Sequence, residues 1–131
     1  MPKHRQDHLL LCVDDEKVAL SGWCLYLQGR GYKVVSAASG EEGLQIFAVQ
    51  PVNAVILDYA MPEVDGNSVA AVMKRLKPEV PILLFTGVAD VPEELRDHID
   101  AHMEKGCVPK DLLQRIDDLL GIEVLASESA A

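Results

Sequence analysis

The sequence has few aromatic residues, and its small number of cysteines and lack of a long apolar run each argue against a class of protein. Aromatic residues make up 5% of the 131 residues. The three cysteines show no CxxC spacing, so we interpret them as small buried apolar residues in a reducing compartment rather than as redox-active residues or zinc ligands. No run approaches the roughly 18 apolar residues of a membrane span, and no signal peptide is recognisable. We therefore expect a cytoplasmic protein without membrane insertion.

Positive charge is also scarce. Lysine and arginine number 12 against 21 aspartates and glutamates, which gives a formal net charge of −9. Direct binding to nucleic acid or to anionic lipid needs a basic surface, so the sequence disfavours both. The expected partners are proteins, and part of the acidity is expected at a cation site. The length fits one domain, predicted over residues 8–121, with flexible tails at 1–7 and 122–131.

Short apolar runs alternate five times with amphipathic segments. The predicted strands cover residues 8–13, 32–36, 54–57, 81–86 and, more weakly, 101–105. The predicted helices cover residues 17–30, 39–50, a segment from 65, a short segment over 90–99, and 111–120. This alternation with short connections predicts an α/β fold, a doubly wound parallel sheet with right-handed crossovers and helices on both faces.

Polar side chains stand where four of the predicted strands end. Asp14 and Asp15 follow the first strand, Asp58 the third, Thr86 ends the fourth and Lys105 the fifth. Taken singly, each has an ordinary explanation, such as a helix cap for Asp15 or a turn cap for Asp58. The carboxyl ends of parallel strands line one crevice, however, and a core needs none of these side chains there. Their joint placement predicts a shared site.

Three converging carboxylates repel one another unless a cation lies among them. A small hard divalent ion, most plausibly Mg²⁺, takes carboxylate and carbonyl oxygens together with water. An incoming phosphoryl group would then meet that ion and the Lys105 ammonium, and the Thr86 hydroxyl could donate to it. Asp58 is the predicted nucleophile, forming an acyl phosphate.

The sequence resembles the receiver domain of two-component response regulators, the fold that includes single-domain chemotaxis regulators. The resemblance rests on four features: the acidic pair Asp14-Asp15, the Asp-Tyr-Ala-Met-Pro-Glu-Val-Asp-Gly block at 58–66, Thr86-Gly87, and Lys105. It covers roughly residues 8–121 and implies a flavodoxin-like five-stranded sheet with strand order 2-1-3-4-5.

The resemblance also implies a function. A partner's phosphohistidine, on a sensor histidine kinase or a histidine phosphotransfer protein, would phosphorylate Asp58 in a Mg²⁺-dependent reaction. The metal would be held by Asp15, Asp58 and the backbone carbonyl of Ala60, with Asp14 acting largely through water. The expected result is a phosphorylation-operated switch that changes affinity for a downstream protein or dimerises. It is not expected to be a turnover enzyme.

Two departures from the family pattern concern the lysine and the switch. Gly106 follows Lys105 where the family usually has proline, which makes Lys110, after Pro109, a rival for the role. We assign Lys105, because Lys110 is predicted in the first turn of the last helix. His102 stands where the family has tyrosine or phenylalanine. It is the second predicted switch residue beside Thr86, and it either swings inward or remains exposed.

Two small or apolar residues near the site bear on the lifetime of the phosphate. Ala60 and Val88 offer no polar group to orient an attacking water, so we expect slow self-dephosphorylation. Two alternatives remain open. A pseudo-receiver would act as a phosphorylation-independent interaction module. A Mg²⁺-dependent phosphatase would need an acidic residue at position 60, which alanine cannot supply.

Overall fold

A computed structural model of the chain describes residues 2–59, 66–87, 91 and 93–123. Five strands form one sheet in the order β2-β1-β3-β4-β5, and every pair of neighbouring strands is parallel. The strands are β1 (Leu9–Val13), β2 (Lys33–Ala37), β3 (Ala54–Leu57), β4 (Ile82–Thr86) and β5 (Ala101–Glu104). The predicted fold class and strand order are confirmed.

The helices alternate with the strands. They are α1 (Lys17–Gly29), α2 (Gly40–Val49), α3 (Gly66–Leu76), α4 (Glu93–Arg96) and α5 (Pro109–Leu120). The predicted α4 extended to residue 99, whereas the observed helix is one turn long. Within the described part of the chain, no helix has the length and apolar character needed to cross a bilayer.

The core has two halves because successive residues of a strand point to opposite faces of the sheet. Leu11 and Val13 of β1 belong to the half covered by α2, α3 and α4. Leu10 and Cys12 belong to the half covered by α1 and α5. All four residues of β3 and all five of β4 are buried, as expected of strands enclosed on both sides.

Local sequence signals set the ends of α2 and α5. The Ser39 hydroxyl accepts a hydrogen bond from the backbone N–H of Glu42 at 3.1 Å, as the capping box predicts. Helix α5 begins at Pro109, two residues earlier than predicted, because proline fits the first position of a helix. It ends at Leu120 and is capped by Gly121, whose φ of 66° is easily adopted only by glycine.

The N-terminal segment differs from the predicted flexible tail at 1–7. Residues Arg5–Asp7 form a 3₁₀ turn, and Arg5 is buried. Its guanidinium donates to both carboxylate oxygens of Asp117, at 2.7 and 3.1 Å, and the Tyr32 hydroxyl donates to the same carboxylate at 2.7 Å. As a charged residue of an amphipathic helix, Asp117 is expected on the polar face of α5, yet it is 2% exposed. A buried carboxylate needs a paired cation, and Arg5 supplies it.

The predicted C-terminal tail is likewise held where it begins. Ile122 forms a parallel bridge with Lys3, and the backbone N–H of Glu123 donates to the carbonyl of Lys3 at 3.0 Å. Residues 124–131 of that predicted tail lie outside the described residues. The two ends of the described chain therefore meet beside α5, at the edge of the sheet where the strands begin.

Candidate functional site

Backbone hydrogen bonds carry the sheet pairing one step beyond the strands and so fix the predicted site residues. The N–H of Asp58 donates to the carbonyl of Val13 at 2.9 Å, and that of Asp14 donates to the last residue of β2 at 3.1 Å. At the other side, the N–H of Lys105 donates to the carbonyl of Thr86 at 2.8 Å. Asp14, Asp58 and Lys105 thus begin the loops at one edge of the sheet with little backbone freedom.

Lys105 joins the ends of three strands. Its Nζ donates to Asp14 Oδ2 at 2.7 Å and lies 3.5 Å from Asp58 Oδ1. Lys110, the rival lysine, lies in the first turn of α5 with an exposed side chain. The structure therefore places Lys105, and not Lys110, against the carboxylates.

The three predicted carboxylates form a cluster. Asp14, Asp15 and Asp58 each offer an oxygen, and these oxygens lie within 4.8 Å of one another. Asp14 and Asp58 are each 6% exposed, and Asp15 is the most open of the three. This set of hard oxygen donors suits Mg²⁺. The remaining predicted ligand, the carbonyl of Ala60, lies outside the described residues.

Burial and neighbouring charges shift the pKa values of Asp58 and Lys105. Burial, and next the charge of Asp14, raise the pKa of Asp58 to about 6, while Lys105 opposes the rise. For Lys105, burial acts to lower the pKa, but the hydrogen bond to Asp14 and the negative charges of Asp58 and Asp14 outweigh it and leave the pKa raised. The crevice without a cation is thus short of positive charge, and a bound cation would relieve it.

An apolar wall beneath the carboxylates was not predicted. A cavity of about 20 Å³ lies between Asp58 and the side chains of Leu20, Trp23 and Phe85. The Trp23 ring meets the Phe85 ring edge to face, with 4.7 Å between centroids. The apolar spacing of Leu20, Trp23 and Leu27 in α1 predicts that Trp23 faces the sheet. Only the position of Phe85, one residue before Thr86, could have linked Trp23 to the site from the sequence. This wall contributes to the burial that raises the pKa of Asp58.

The two predicted switch residues occupy different surroundings. Thr86, the last residue of β4, is 1% exposed and lies at the crevice edge beside the backbone of Lys105. His102 lies on β5 opposite Leu84, and its side chain is exposed. The structure does not place His102 in the crevice, and its inward swing stays a prediction. Val88 lies outside the described residues.

Comparison with known proteins identifies a family with this kind of crevice. The sequence model of the response regulator receiver domain family matches residues 10–117. The chain belongs to this family. This receiver domain is 34% identical over 120 residues to the transcriptional regulatory protein GlrR of Escherichia coli, covering 89% of the chain and 27% of that protein. It is 32% identical over 114 residues to the response regulator SaeR of Staphylococcus aureus, covering 85% of the chain and 50% of that protein.

Solved structures show the same fold. A CheY-like receiver domain from Methanospirillum hungatei has a TM-score of 0.82 at 29% identity, covering 87% of this chain and 94% of that one. TrrA from Thermotoga maritima, solved in complex with Mg²⁺ and BeF, has a TM-score of 0.83 at 29% identity, covering 86% and 99% of the two chains. The receiver domain spans half or less of the length of the curated relatives GlrR and SaeR.

Proposed function

We propose that this receiver domain is a phosphorylation-operated switch in which Asp58 accepts a phosphoryl group from a phosphohistidine. The donor would be a sensor histidine kinase or a histidine phosphotransfer protein. The observation that carries the proposal is the position of Lys105, whose Nζ lies 2.7 Å from Asp14 and 3.5 Å from Asp58. A cation fixed beside a nucleophilic carboxylate suits the transfer of an anionic group.

In the transfer, a carboxylate oxygen of Asp58 attacks phosphorus and the bond from phosphorus to the imidazole nitrogen of the donor breaks. The product is an acyl phosphate on Asp58. Negative charge on the phosphoryl oxygens is stabilised by the Lys105 ammonium, which the Asp14 carboxylate orients. With a pKa of about 6, Asp58 is mostly ionised near neutral pH and is ready to act as the nucleophile.

The proposal includes a Mg²⁺ requirement. Asp14, Asp15 and Asp58 would hold the ion, Asp14 largely through water, together with the carbonyl of Ala60. When bound, Mg²⁺ neutralises charge on the transferring phosphoryl group. The clustering of carboxylate oxygens supports this assignment. So does the related TrrA of Thermotoga maritima, which was solved with Mg²⁺ and BeF.

Phosphorylation would change the surface beside Thr86. The modification converts a carboxylate of charge −1 into an acyl phosphate of charge about −2, within reach of two donors, the Lys105 ammonium and the Thr86 hydroxyl. Closure of Thr86 on the phosphoryl group would move the end of β4 and, through its pairing with β5, the exposed His102. We propose that the face formed by α4, β5 and α5 then gains affinity for a downstream effector or a second copy of the domain.

A direct test is modification by a small phosphodonor. Acetyl phosphate with Mg²⁺ should add the mass of one phosphoryl group, and Asp58→Asn should abolish the addition. Lys105→Met should slow it by roughly tenfold or more, because the charge beside the nucleophile is lost. Lys110→Met is the matched control and should leave the rate unchanged. A wild-type chain that stays unmodified would instead favour a phosphorylation-independent interaction module.

The domain would act in its own phosphorylation and dephosphorylation but would not turn over a substrate. We propose slow self-dephosphorylation, because residue 60 cannot hold a hydrolytic water in line with the acyl phosphate. Ala60→Asn should shorten the half-life of the phosphorylated protein, measured by the loss of the added mass after the phosphodonor is removed. Equal half-lives would reject this part of the proposal.

A further inference from the structure

Helix α1 is uncharged on the side that faces away from the sheet. Leu20 and Leu27 are buried against the sheet, whereas Val18 is 89% exposed and Leu25 is 68% exposed. The exposed side of a surface helix usually carries charged residues. Helix α5 follows this rule with Lys110, Asp111, Arg115 and Asp118. Helix α1 has no charged residue from Val18 to Gly29, which marks its outer side as a surface for a partner.

Two glycines share this outer side of α1. Gly22 and Gly29 are exposed, a Cβ atom added at either would have nothing within 4 Å, and neither has a positive φ. Packing within the domain therefore does not require glycine at these positions. In the middle of a helix, as at Gly22, glycine costs about 1 kcal/mol relative to alanine. Glycine does have a use where a second helix approaches the backbone closely.

The exposed apolar residues and the glycines form one line along α1. They are spaced by four, three and four positions, and this spacing keeps residues on one side of a helix, as along the contact line of a coiled coil. With a rotation of about 100° per residue, the line lies opposite Leu20 and Leu27. We call this line the α1 seam and define it by Val18, Gly22, Leu25 and Gly29.

We propose that two copies of the domain associate through the α1 seam, with their α1 helices antiparallel. In a parallel pair, Val18 and Leu25 would each meet the same residue of the second copy, and the glycines would leave gaps. In an antiparallel pair centred near the middle of α1, Val18 faces Gly29 of the second copy and Leu25 faces Gly22 of the second copy. Each large side chain then fills the space over a glycine. The α1 seam is thus complementary to itself, as a two-fold symmetric interface requires.

Charge and size set the expected strength of this dimer. Two chains of net charge −9 repel each other, and the repulsion is least where they meet through a helix without acidic residues. The Arg30 guanidinium, at the end of α1, lies over the Tyr26 ring at 5.2 Å from its centroid, which draws it to the flank of the helix. A helix of 13 residues is about 20 Å long, so the contact is smaller than the roughly 1,600 Å² of a standard interface. We therefore expect a weak, concentration-dependent dimer.

Sedimentation equilibrium of the full chain measures this association. The chain should be largely dimeric at about 1 mM and monomeric at about 1 μM. Acetyl phosphate with Mg²⁺ should leave the dissociation constant unchanged, because the α1 seam is separate from the face formed by α4, β5 and α5. A chain that is monomeric at about 1 mM would overturn the proposal. So would association that appears only after treatment with the phosphodonor.

Substitutions in the α1 seam test whether it is the interface. Leu25→Glu should abolish the dimer, because two carboxylates would be buried at its centre. Leu76→Glu is the matched control, since Leu76 is an exposed leucine of α3, and it should leave the dissociation constant unchanged. Equal effects of the two substitutions would place the interface elsewhere and overturn the proposal.

An exchange of two residues tests the antiparallel register. Gly22→Leu should weaken the dimer by roughly tenfold or more, because the new side chain meets Leu25 of the second copy. Leucine favours the helix, so this loss cannot come from unfolding of α1. The double variant Gly22→Leu/Leu25→Gly again sets each leucine against a glycine and should recover the wild-type dissociation constant to within about threefold. A double variant as weak as Gly22→Leu alone would overturn the antiparallel pairing.

Discussion

At the scale of single residues, the Asp58 carboxyl group shows the energetic cost of assembling the crevice. It is 6% exposed, close to Asp14, and only partly compensated by Lys105 at 3.5 Å. Burial and the charge of Asp14 raise its pKa to about 6. Because the ordinary pKa of aspartate is about 3.9, ionised Asp58 destabilises the folded state between these two values and above them.

Asp58→Asn should therefore stabilise the chain in the absence of divalent cations. At about pH 8 we expect a gain of roughly 1–2 kcal/mol in the free energy of unfolding, after allowing for screening by water in the open crevice. A raised folded-state pKa means that the contribution of Asp58 to stability is fully present below about pH 4 and is lost as the pH rises through about 6. The gain should therefore shrink on acidification.

Urea unfolding in a chelator, repeated across this pH range, measures the difference. The exposed Asp97 provides the control, since Asp97→Asn should change little at any pH. A gain from Asp58→Asn that does not vary with pH would contradict the assigned pKa.

Residue-scale reasoning from sequence succeeded where a polar side chain interrupts a buried run. Asp14, Asp58, Thr86 and Lys105 were singled out because each follows or ends a predicted strand, and the structure brings them to one edge of the sheet. The same reasoning could not decide the role of His102, whose side chain is exposed. The position of a residue in a strand predicts which face of the sheet its side chain points to, but not whether the side chain moves when a neighbouring group is modified.

At the scale of elements, close packing between α2 and β1 depends on a glycine. A Cβ atom at Gly43 would lie 2.9 Å from Cγ2 of Val13, the residue directly before Asp14. Val13 is β-branched and buried in a strand, so it has little freedom to yield. Hydrophobic periodicity alone would put Ala48 on this inward face, but the buried residues of α2 are Gly40, Gly43 and Phe47, and Ala48 is exposed.

Gly43→Ala should lower the free energy of unfolding by about 1–3 kcal/mol through overpacking. The better helix propensity of alanine should offset up to about 1 kcal/mol of this loss. Gly22→Ala in α1 is the matched control, because nothing lies within 4 Å of its added Cβ, and it should stabilise by up to about 1 kcal/mol. Chemical unfolding of both variants tests the pair. A net gain from Gly43→Ala would show that the contact with Val13 relaxes easily.

The anchoring of α5 to the N-terminal segment could not be predicted from pattern. Asp117 and Asp118 are adjacent acidic residues, and nothing local distinguishes the buried one from the exposed one. The cation that pairs with Asp117 comes from a residue 112 positions earlier in the chain. Hydrophobic periodicity reports which residues avoid water and gives no information on ion pairs between distant segments.

Arg5→Met should cost about 3–5 kcal/mol of unfolding free energy, because the Asp117 carboxylate would stay buried without its cation. Adding Asp117→Asn should recover part of the loss, since an amide carries no charge and can still accept from the Tyr32 hydroxyl. The measurement is denaturant unfolding of the single and double variants. Lys3→Met, at an exposed position nearby, is the control. Similar small effects of Arg5→Met and Lys3→Met would mean that the buried pair adds little.

At the scale of the whole molecule, the fold was largely predictable because strand and helix signals alternate regularly. The strand order followed from the family resemblance, and the weak fifth strand followed from its position.

The net charge of −9 has two separable consequences. Diffuse repulsion is screened by any salt. The repulsion among the clustered carboxylates of Asp14, Asp15 and Asp58 is short-ranged, and we predict that a cation bound among them relieves it more than dilute salt does.

Mg²⁺ should therefore raise the melting temperature more than NaCl at equal ionic strength. A ligand that binds only the folded state, at a concentration 100-fold above its dissociation constant, adds about 2.7 kcal/mol. Asp15→Asn should remove most of this excess and keep the response to NaCl. Thermal melts in the two salts supply the comparison. Equal effects of Mg²⁺ and NaCl on the wild-type chain would indicate screening alone.

The bridge between Lys3 and Ile122 makes the fold a suitable subject for circular permutation. A linker of a few residues from Glu123 back to Lys3 would close the polypeptide into a ring at the edge opposite the crevice. New termini could then be opened at an exposed loop position such as Pro51. In such a permutant the Arg5–Asp117 pair would be local in sequence, so the same contacts would close a much shorter loop.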